Sequence, residues 1–383
     1  MQQTSIIPRN TALSRREALL VCLLLFAAFL LRVAWFERMA VEHFDEGVYA
    51  SNLWFGSESE YPHRQMYAPP LFPSAVEISI SLLGPGAAGC LATSLATGIA
   101  TVACIWWIAR SWFGIAAGIS ALSLAAFSDF HIQFSRMCLT DVPVCCALAS
   151  AVFMFSRVIQ GHVGRYAVAA GTLTAIGWWT KYTGWLPVAI CGAASLAWIV
   201  NHRKWGTSHN RVLIGWLMMA SVCGLLTAPM FHQLQDSGGY AAIARNHSGY
   251  VTGPALWLTA LGQHHAIQCH YDDWSTLCGL LLAVVLSQWI QWPNNAWRQA
   301  TRIDRGRMTL NLTGLASLAG LASIFMGTMF ALGIASVWGL LQQLRRKRLI
   351  AESSSTMPVW IMLSWITGLT MAVPMYQPFP RLA

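Results

Sequence analysis

Charge is scarce in this chain. Only 10% of its 383 residues are Asp, Glu, Lys or Arg, where soluble domains carry about a quarter. That scarcity excludes a disordered chain, a coiled coil and an ordinary cytosolic enzyme. Paired cysteine spacing is missing too. The chain has 10 Cys, and most, such as Cys22, Cys90, Cys104, Cys191 and Cys223, lie in apolar runs, where a thiol behaves as a small hydrophobe. Only Cys269 and Cys278 fall near a polar loop, which leaves one disulfide open there. Low-complexity tracts, internal repeats and a small-residue cleavage site after the first apolar run are all lacking. So are the Gly-x-Ser-Gly and His-x-x-Glu-His constellations, which removes an intramembrane protease from consideration.

What is present is apolar. Hydrophobic residues make up 56%, with 19 Trp and 16 Phe, and mean hydropathy is +0.50. A spanning helix needs roughly 20 mostly apolar residues. Candidate spans cover 18–36, 87–109, 113–127, 142–155, 166–179, 185–200, 212–230, 277–290 and 357–373, and 309–344 reads as a tight helical hairpin or one long helix. The expected fold is an all-α polytopic membrane protein, one domain over 1–383.

Basic residues set the orientation. With the N-terminus in the cytoplasm, 17 of the 24 Lys and Arg fall inside, including the run Arg345–Arg346–Lys347–Arg348. The net charge of +9 therefore reflects topology, and no nucleic-acid partner is expected. Acidic residues run the other way: only Glu17, Asp304 and Glu352 of the 15 land inside. Carboxylates contribute little to topology, so their gathering on the outer face reads as chemistry or as solvated loops. Two outer loops, about 37–74 and 231–274, are much longer than the inner turns, and long loops tend to carry function.

Three segments of the outer face stand out. Phe44-Asp45-Glu46-Gly47-Val48-Tyr49-Ala50 places adjacent carboxylates beside aromatics just above the membrane. Neighbouring like charges can raise one pKa, as a general base requires, and a solvated acidic loop explains the same residues. Tyr67-Ala68-Pro69-Pro70-Leu71 ends one element and can start another, and 75–83 reads as a short surface helix. Ser135-Arg136 through Leu139-Thr140-Asp141-Val142-Pro143 sets Arg136 and Thr140 four apart, on one helix face if helical, with Asp141 alongside. Arg136 and Asp141 can simply form an ion pair, and Lys181 can simply snorkel.

In this order, these segments resemble the GT-C-fold glycosyltransferases of the protein O-mannosyltransferase and lipid A aminoarabinose transferase type. Bacterial proteins with an RgtA/B/C/D-like domain are among them. The stretch Pro374-Met375-Tyr376-Gln377-Pro378-Phe379-Pro380-Arg381 is similar to a motif of bacterial members, and Arg245-Asn246-His247-Ser248-Gly249-Tyr250 is similar to one of their substrate-facing loops. Two departures stand beside the resemblance. Ala68 occupies the place where members often carry His or Lys, and members usually continue through more helices after the point where this sequence stops, at Ala383.

The resemblance implies a helix bundle with long outer loops carrying surface helices, in the cell membrane, with its active site on the extracytoplasmic side. It implies an inverting glycosyltransferase that moves a hexosyl or pentosyl group from a polyprenyl-phosphate donor to a lipid, glycan or protein hydroxyl, with no cofactor and no metal. Asp45 would be the base and Glu46 its assistant. Tyr49, Arg136, Asp141, Lys181, Arg245, Tyr376 and Arg381 would bind substrate or its phosphate. Seven basic residues face outward, Arg32, Arg38, Arg64, Arg136, Lys181, Arg245 and Arg381, so the phosphate ligands are sought among them. His264, His265, Cys269, His270, Asp272 and Asp273 crowd the second loop without standard metal spacing. The competing class is a transporter or flippase for a lipid or solute.

Overall fold

The structure is a computed structural model that describes residues 13–41, 44–50, 68–202, 206–236, 238–271, 273–291 and 356–377. Regular structure among those residues is helical, with one isolated bridge and no strand. The 309–344 hairpin expectation and Arg381 lie outside the described residues.

Fourteen α-helices are described. They are α1 (Arg15–Val33), α2 (Phe44–Ala50), α3 (Leu71–Leu83), α4 (Ala87–Phe113), α5 (Ile115–Phe127), α6 (Asp129–Ser135) and α7 (Asp141–Ser156). After them come α8 (Val163–Thr180), α9 (Leu186–Asn201), α10 (Thr207–Gln235), α11 (Gly239–Ser248), α12 (Trp257–Tyr271), α13 (Trp274–Gln291) and α14 (Met357–Ala372).

Local chemistry sets most of the boundaries. Ser14 caps α1, its Oγ accepting from the Glu17 N–H at 3.1 Å. Trp35, at φ 52°, turns the chain out after α1. The Pro69-Pro70 pair precedes α3, which starts at Leu71, four residues before the expected surface helix. Prolines in the first turns of α9 and α14 supply the fixed φ that a helix start favours.

The chain divides into two compact units, one of residues 1–34, 102–133 and 265–335, the other of residues 35–101, 134–264 and 336–383. In the first, Leu20, Leu24, Ala28, Val102, Ile119, Leu122 and Ala126 form a buried core. A Cβ on Gly279 of α13 would sit 2.7 Å from Phe127, so that helix pair depends on glycine. Glu17 and Arg110 form a buried ion pair there, including an Arg110 Nη2 to Glu17 Oε2 bond of 3.1 Å. In the second unit, α7, α8 and α10 pack side by side. A Cβ on Gly171 would lie 2.7 Å from the Met219 carbonyl oxygen.

Four helical stretches among the described residues are long and apolar enough to cross a membrane: Ala87–Phe113, Asp141–Gln160, Thr207–Gln235 and Met357–Met375. Two bent pairs would add one span each, α5 with α6 at 60° and Pro254–Tyr271 with Trp274–Ile290 at 87°. The shortfall from the expected spans has physical causes. Helix α9 has only 16 residues, and α1 carries Arg16, Glu17 and Arg32 within its length. Both expected outer loops do contain helices, α2 in the first, and α11 and α12 in the second.

Candidate functional site

The expected helix face through Arg136 and Thr140 does not exist. Helix α6 stops at Ser135, α7 starts at Asp141, and residues 136–140 form a bend between them. Inside it the Leu139 N–H donates to the Met137 carbonyl at 2.9 Å. Three other elements converge on this bend. From α2, Glu46 Oε1 accepts the Cys138 backbone N–H at 2.6 Å. From α4, Ser94 Oγ donates to the Leu139 carbonyl at 3.4 Å. From the end of α8, Lys181 Nζ donates to Asp141 Oδ1 at 2.5 Å.

Asp45 and Glu46 are both buried, at 4% and 1% exposed. The solvated-loop alternative therefore fails for this pair. They ride on a short helix held by Tyr49, whose ring meets Phe72 of α3 edge-on at 5.4 Å. Tyr49 itself is buried, so its ring packs α2 onto α3. Arg136 is half-buried. Its expected ion pair with Asp141 is replaced on the Asp141 side by Lys181, whose half-buried ammonium is fixed there and does not simply snorkel. The other Asp141 oxygen, Oδ2, is buried without a hydrogen-bond partner among the described residues.

The turn that presents Lys181 depends on a close backbone approach. A Cβ on Gly184 would fall 2.1 Å from the Gly177 carbonyl carbon and from the Trp178 nitrogen. Next to Lys181, the Tyr182 carbonyl accepts from Tyr240 Oη of α11 at 3.0 Å, and the two rings meet edge-on at 6.0 Å. Burial, followed by their mutual influence, pushes the Tyr182 phenol up, and burial does the same for Tyr240, so both remain hydroxyl donors. Through this link α11, with exposed Arg245, is tied to the Lys181 turn.

The segment after α14 closes on the same region. Val251 and Tyr376 form an antiparallel bridge. Within it the Thr252 N–H donates to the Met375 carbonyl at 2.7 Å, and the Gln377 N–H to the Tyr250 carbonyl at 2.8 Å. The two late motifs, far apart in sequence, thus meet at this bridge, and the expected substrate-facing loop is helical from Arg245 to Ser248. Tyr376 is exposed, and its bridge to Val251 sets it just past the end of α11.

Several polar residues escape sequence reasoning. Arg32, counted among the outward cations, is fully buried. Its Nη1 donates to the Ala28 and Ala126 carbonyls at 3.0 and 3.1 Å, and its Nη2 to the Ala125 carbonyl at 3.2 Å. It also meets His131 Nδ1 at 2.6 Å, and since guanidinium only donates, that nitrogen accepts. Arg32 caps the end of α5 and is thereby removed from the phosphate candidates. Asp129 Oδ2 accepts the Asp273 and Thr276 N–H groups and the Thr276 hydroxyl, at 3.0, 2.8 and 2.8 Å, so it caps α13 from across the unit. The signal was available: an acid directly after Ser128 at a helix break. All 10 Cys are free, so the Cys269–Cys278 bridge does not form.

Residues 67–230 match the family described as dolichyl-phosphate-mannose-protein mannosyltransferase. No protein of curated function matches the chain. Among solved structures, the apo oligosaccharyltransferase of Archaeoglobus fulgidus is similar at a TM-score of 0.58 and 14% identity, covering 96% of this chain and 48% of that one. The archaeal oligosaccharyltransferase AglB from the same organism, in complex with an inhibitory peptide and a dolichol-phosphate, gives 0.56 and 13%, again with 96% and 48% covered. ArnT from Cupriavidus metallidurans, bound to undecaprenyl phosphate, gives 0.49 and 15%, with 95% and 77% covered. The chain spans about half the length of the oligosaccharyltransferases it matches. The chain shares the helical GT-C fold of these solved structures, and its segment 67–230 matches the family model described as dolichyl-phosphate-mannose-protein mannosyltransferase.

Proposed function

We propose that the protein is an integral-membrane glycosyltransferase that moves a sugar from a polyprenyl-phosphate donor to a hydroxyl of a lipid, glycan or protein, at the extracytoplasmic face of the cell membrane. The observation that carries this reading is the arrangement around one bend: Glu46 of α2, next to Asp45, holds the bend that contains Arg136, and the Lys181–Asp141 pair lies at its end. The matched family acts from a lipid-phosphate sugar by its description, and a structural relative holds a dolichol-phosphate together with a peptide. None of the matched proteins is named a transporter.

The chemistry follows from the groups present. In an inverting transfer the acceptor oxygen attacks the anomeric carbon as the bond to the donor phosphate breaks. Asp45 takes the acceptor's hydroxyl proton, which makes that oxygen nucleophilic as it attacks. The departing polyprenyl phosphate gains negative charge, and the cations Arg136 and Lys181 stabilise it. Arg136 offers a bidentate fork and Lys181 a point charge. Arg245 of α11 and Tyr376 supply further substrate contacts, and Arg381 is assigned the same role from its motif alone. No cofactor enters this scheme.

The reading is tested by supplying purified protein with a hexose on a polyprenyl phosphate, and in parallel with the same hexose on a nucleoside diphosphate. Sugar transfer with release of polyprenyl phosphate from the first donor only is the expected result. Transfer from the nucleotide sugar, or vesicle-to-vesicle movement of intact lipid without bond cleavage, would overturn it.

A further inference from the structure

The adjacent carboxylates of α2 do different work. Residues 44–50 are helical, and consecutive helical side chains point about 100° apart, so neighbours i and i+1 do not face one another. One hydroxyl cannot be shared by Asp45 and Glu46 on such geometry. Glu46 points at the bend, where its Oε1 holds the buried Cys138 amide at 2.6 Å. A carboxylate that accepts an N–H makes one of the stronger hydrogen bonds available to a protein.

The Cys138 amide lies two residues from Arg136 and three from Asp141, in the stretch where neither α6 nor α7 supplies regular backbone pairing. Across the bend the Ser94 to Leu139 contact, at 3.4 Å, is long for a hydroxyl donor. Of these two contacts, the Glu46 bond is the shorter. Burial pushes the Cys138 thiol up, with the nearby Cys90 and the Glu46 charge adding to it, so the thiol stays protonated beside the carboxylate.

We propose that Glu46 is a positioning residue: its carboxylate fastens the 136–140 bend, and through it the Arg136 guanidinium, in the geometry that receives the donor phosphate, while Asp45 alone accepts the proton. This rests on the glycosyltransferase reading and assigns a division of labour within it. Loss of the fastener acts on donor recognition, and loss of the base acts on the chemical step.

The experiment compares Glu46→Gln, Glu46→Ala, Arg136→Ala and the Glu46→Ala/Arg136→Ala double variant for donor KM, kcat and binding of polyprenyl phosphate alone. Glu46→Ala should raise donor KM and weaken polyprenyl-phosphate binding by about tenfold, the scale of one charge-assisted hydrogen bond, with a smaller fall in kcat. Glu46→Gln should recover most of that loss, because its amide oxygen still accepts the Cys138 N–H. In the Arg136→Ala background, Glu46→Ala should add less than about twofold, as expected of residues acting as a unit. A Glu46→Gln variant that binds polyprenyl phosphate normally but loses kcat as fully as Asp45→Asn would overturn the proposal, as would multiplicative losses in the double variant. If Glu46→Ala does not fold, Glu46→Gln and its double variant with Arg136→Ala decide by the same criteria. Wild-type turnover in Asp45→Asn would instead reject the glycosyltransferase mechanism itself, so the two failures are distinct.

Discussion

Removing the Lys181 ammonium tests whether the pair at the end of the bend holds the site together. Lys181 Nζ lies 2.5 Å from Asp141 Oδ1, with the side chains 26% and 15% exposed. Fully exposed pairs contribute about 0.2–1 kcal/mol, and removing one partner of a fully buried pair costs about 3–5 kcal/mol. The exposure here places Lys181→Ala between those limits, at about 1–3 kcal/mol. The upper half of that interval is favoured because Asp141 Oδ2 already lacks a partner among the described residues, so the variant strands both oxygens. Asp141→Asn in the same background removes the stranded charge, and the double variant should be more stable than Lys181→Ala alone. Thermal unfolding in detergent of the four proteins of the cycle gives the coupling, expected at about 1–3 kcal/mol. Additive effects, or a neutral Lys181→Ala, would refute the reasoning and return Lys181 to a snorkelling role.

The other predictions concern fold and topology. Glu17→Gln leaves the buried Arg110 without its counter-charge and should cost about 3 kcal/mol, read as a lowered unfolding midpoint. Gly184→Ala places a Cβ 2.1 Å from backbone atoms of Gly177 and Trp178, and should destabilise the Lys181 turn by about 1–3 kcal/mol, with donor binding lost in parallel. With accessible native cysteines removed, a cysteine at Ser57 should be labelled from outside and one at Gly306 should not, since 17 of 24 basic residues assign the second to the cytoplasm. The reverse pattern would place Asp45 inside.

The helical class and the order of the apolar segments were legible because lipid demands long apolar runs whatever the tertiary structure. Part of the motif set is joined in the fold: Glu46 holds the Cys138 amide of the bend, and Lys181 pairs with Asp141. These pairings were not legible in the sequence. Spacing of four proposed a helix face for Arg136 and Thr140, but spacing cannot reveal that the helix breaks at Ser135. The adjacency of Asp45 and Glu46 implied mutual influence, whereas helical geometry turns them apart. Arg32 counted as an outer cation because it sits in the last turn of α1, yet the carbonyls it satisfies belong to α5, over 90 residues away. Partners at that distance become visible only once the chain is folded.

The central claim is that Asp45 is the proton acceptor of a transfer from a polyprenyl-phosphate sugar. Asn at position 45 keeps the shape and hydrogen-bonding reach of the side chain but cannot take a proton. Loss of a general base typically costs about a hundred- to ten-thousand-fold in rate. The direct measurement is kcat for sugar transfer by Asp45→Asn, alongside its unfolding midpoint and its binding of polyprenyl phosphate. The account predicts a kcat at least about a hundredfold below wild type, with midpoint and binding unchanged. A kcat equal to wild type would contradict it.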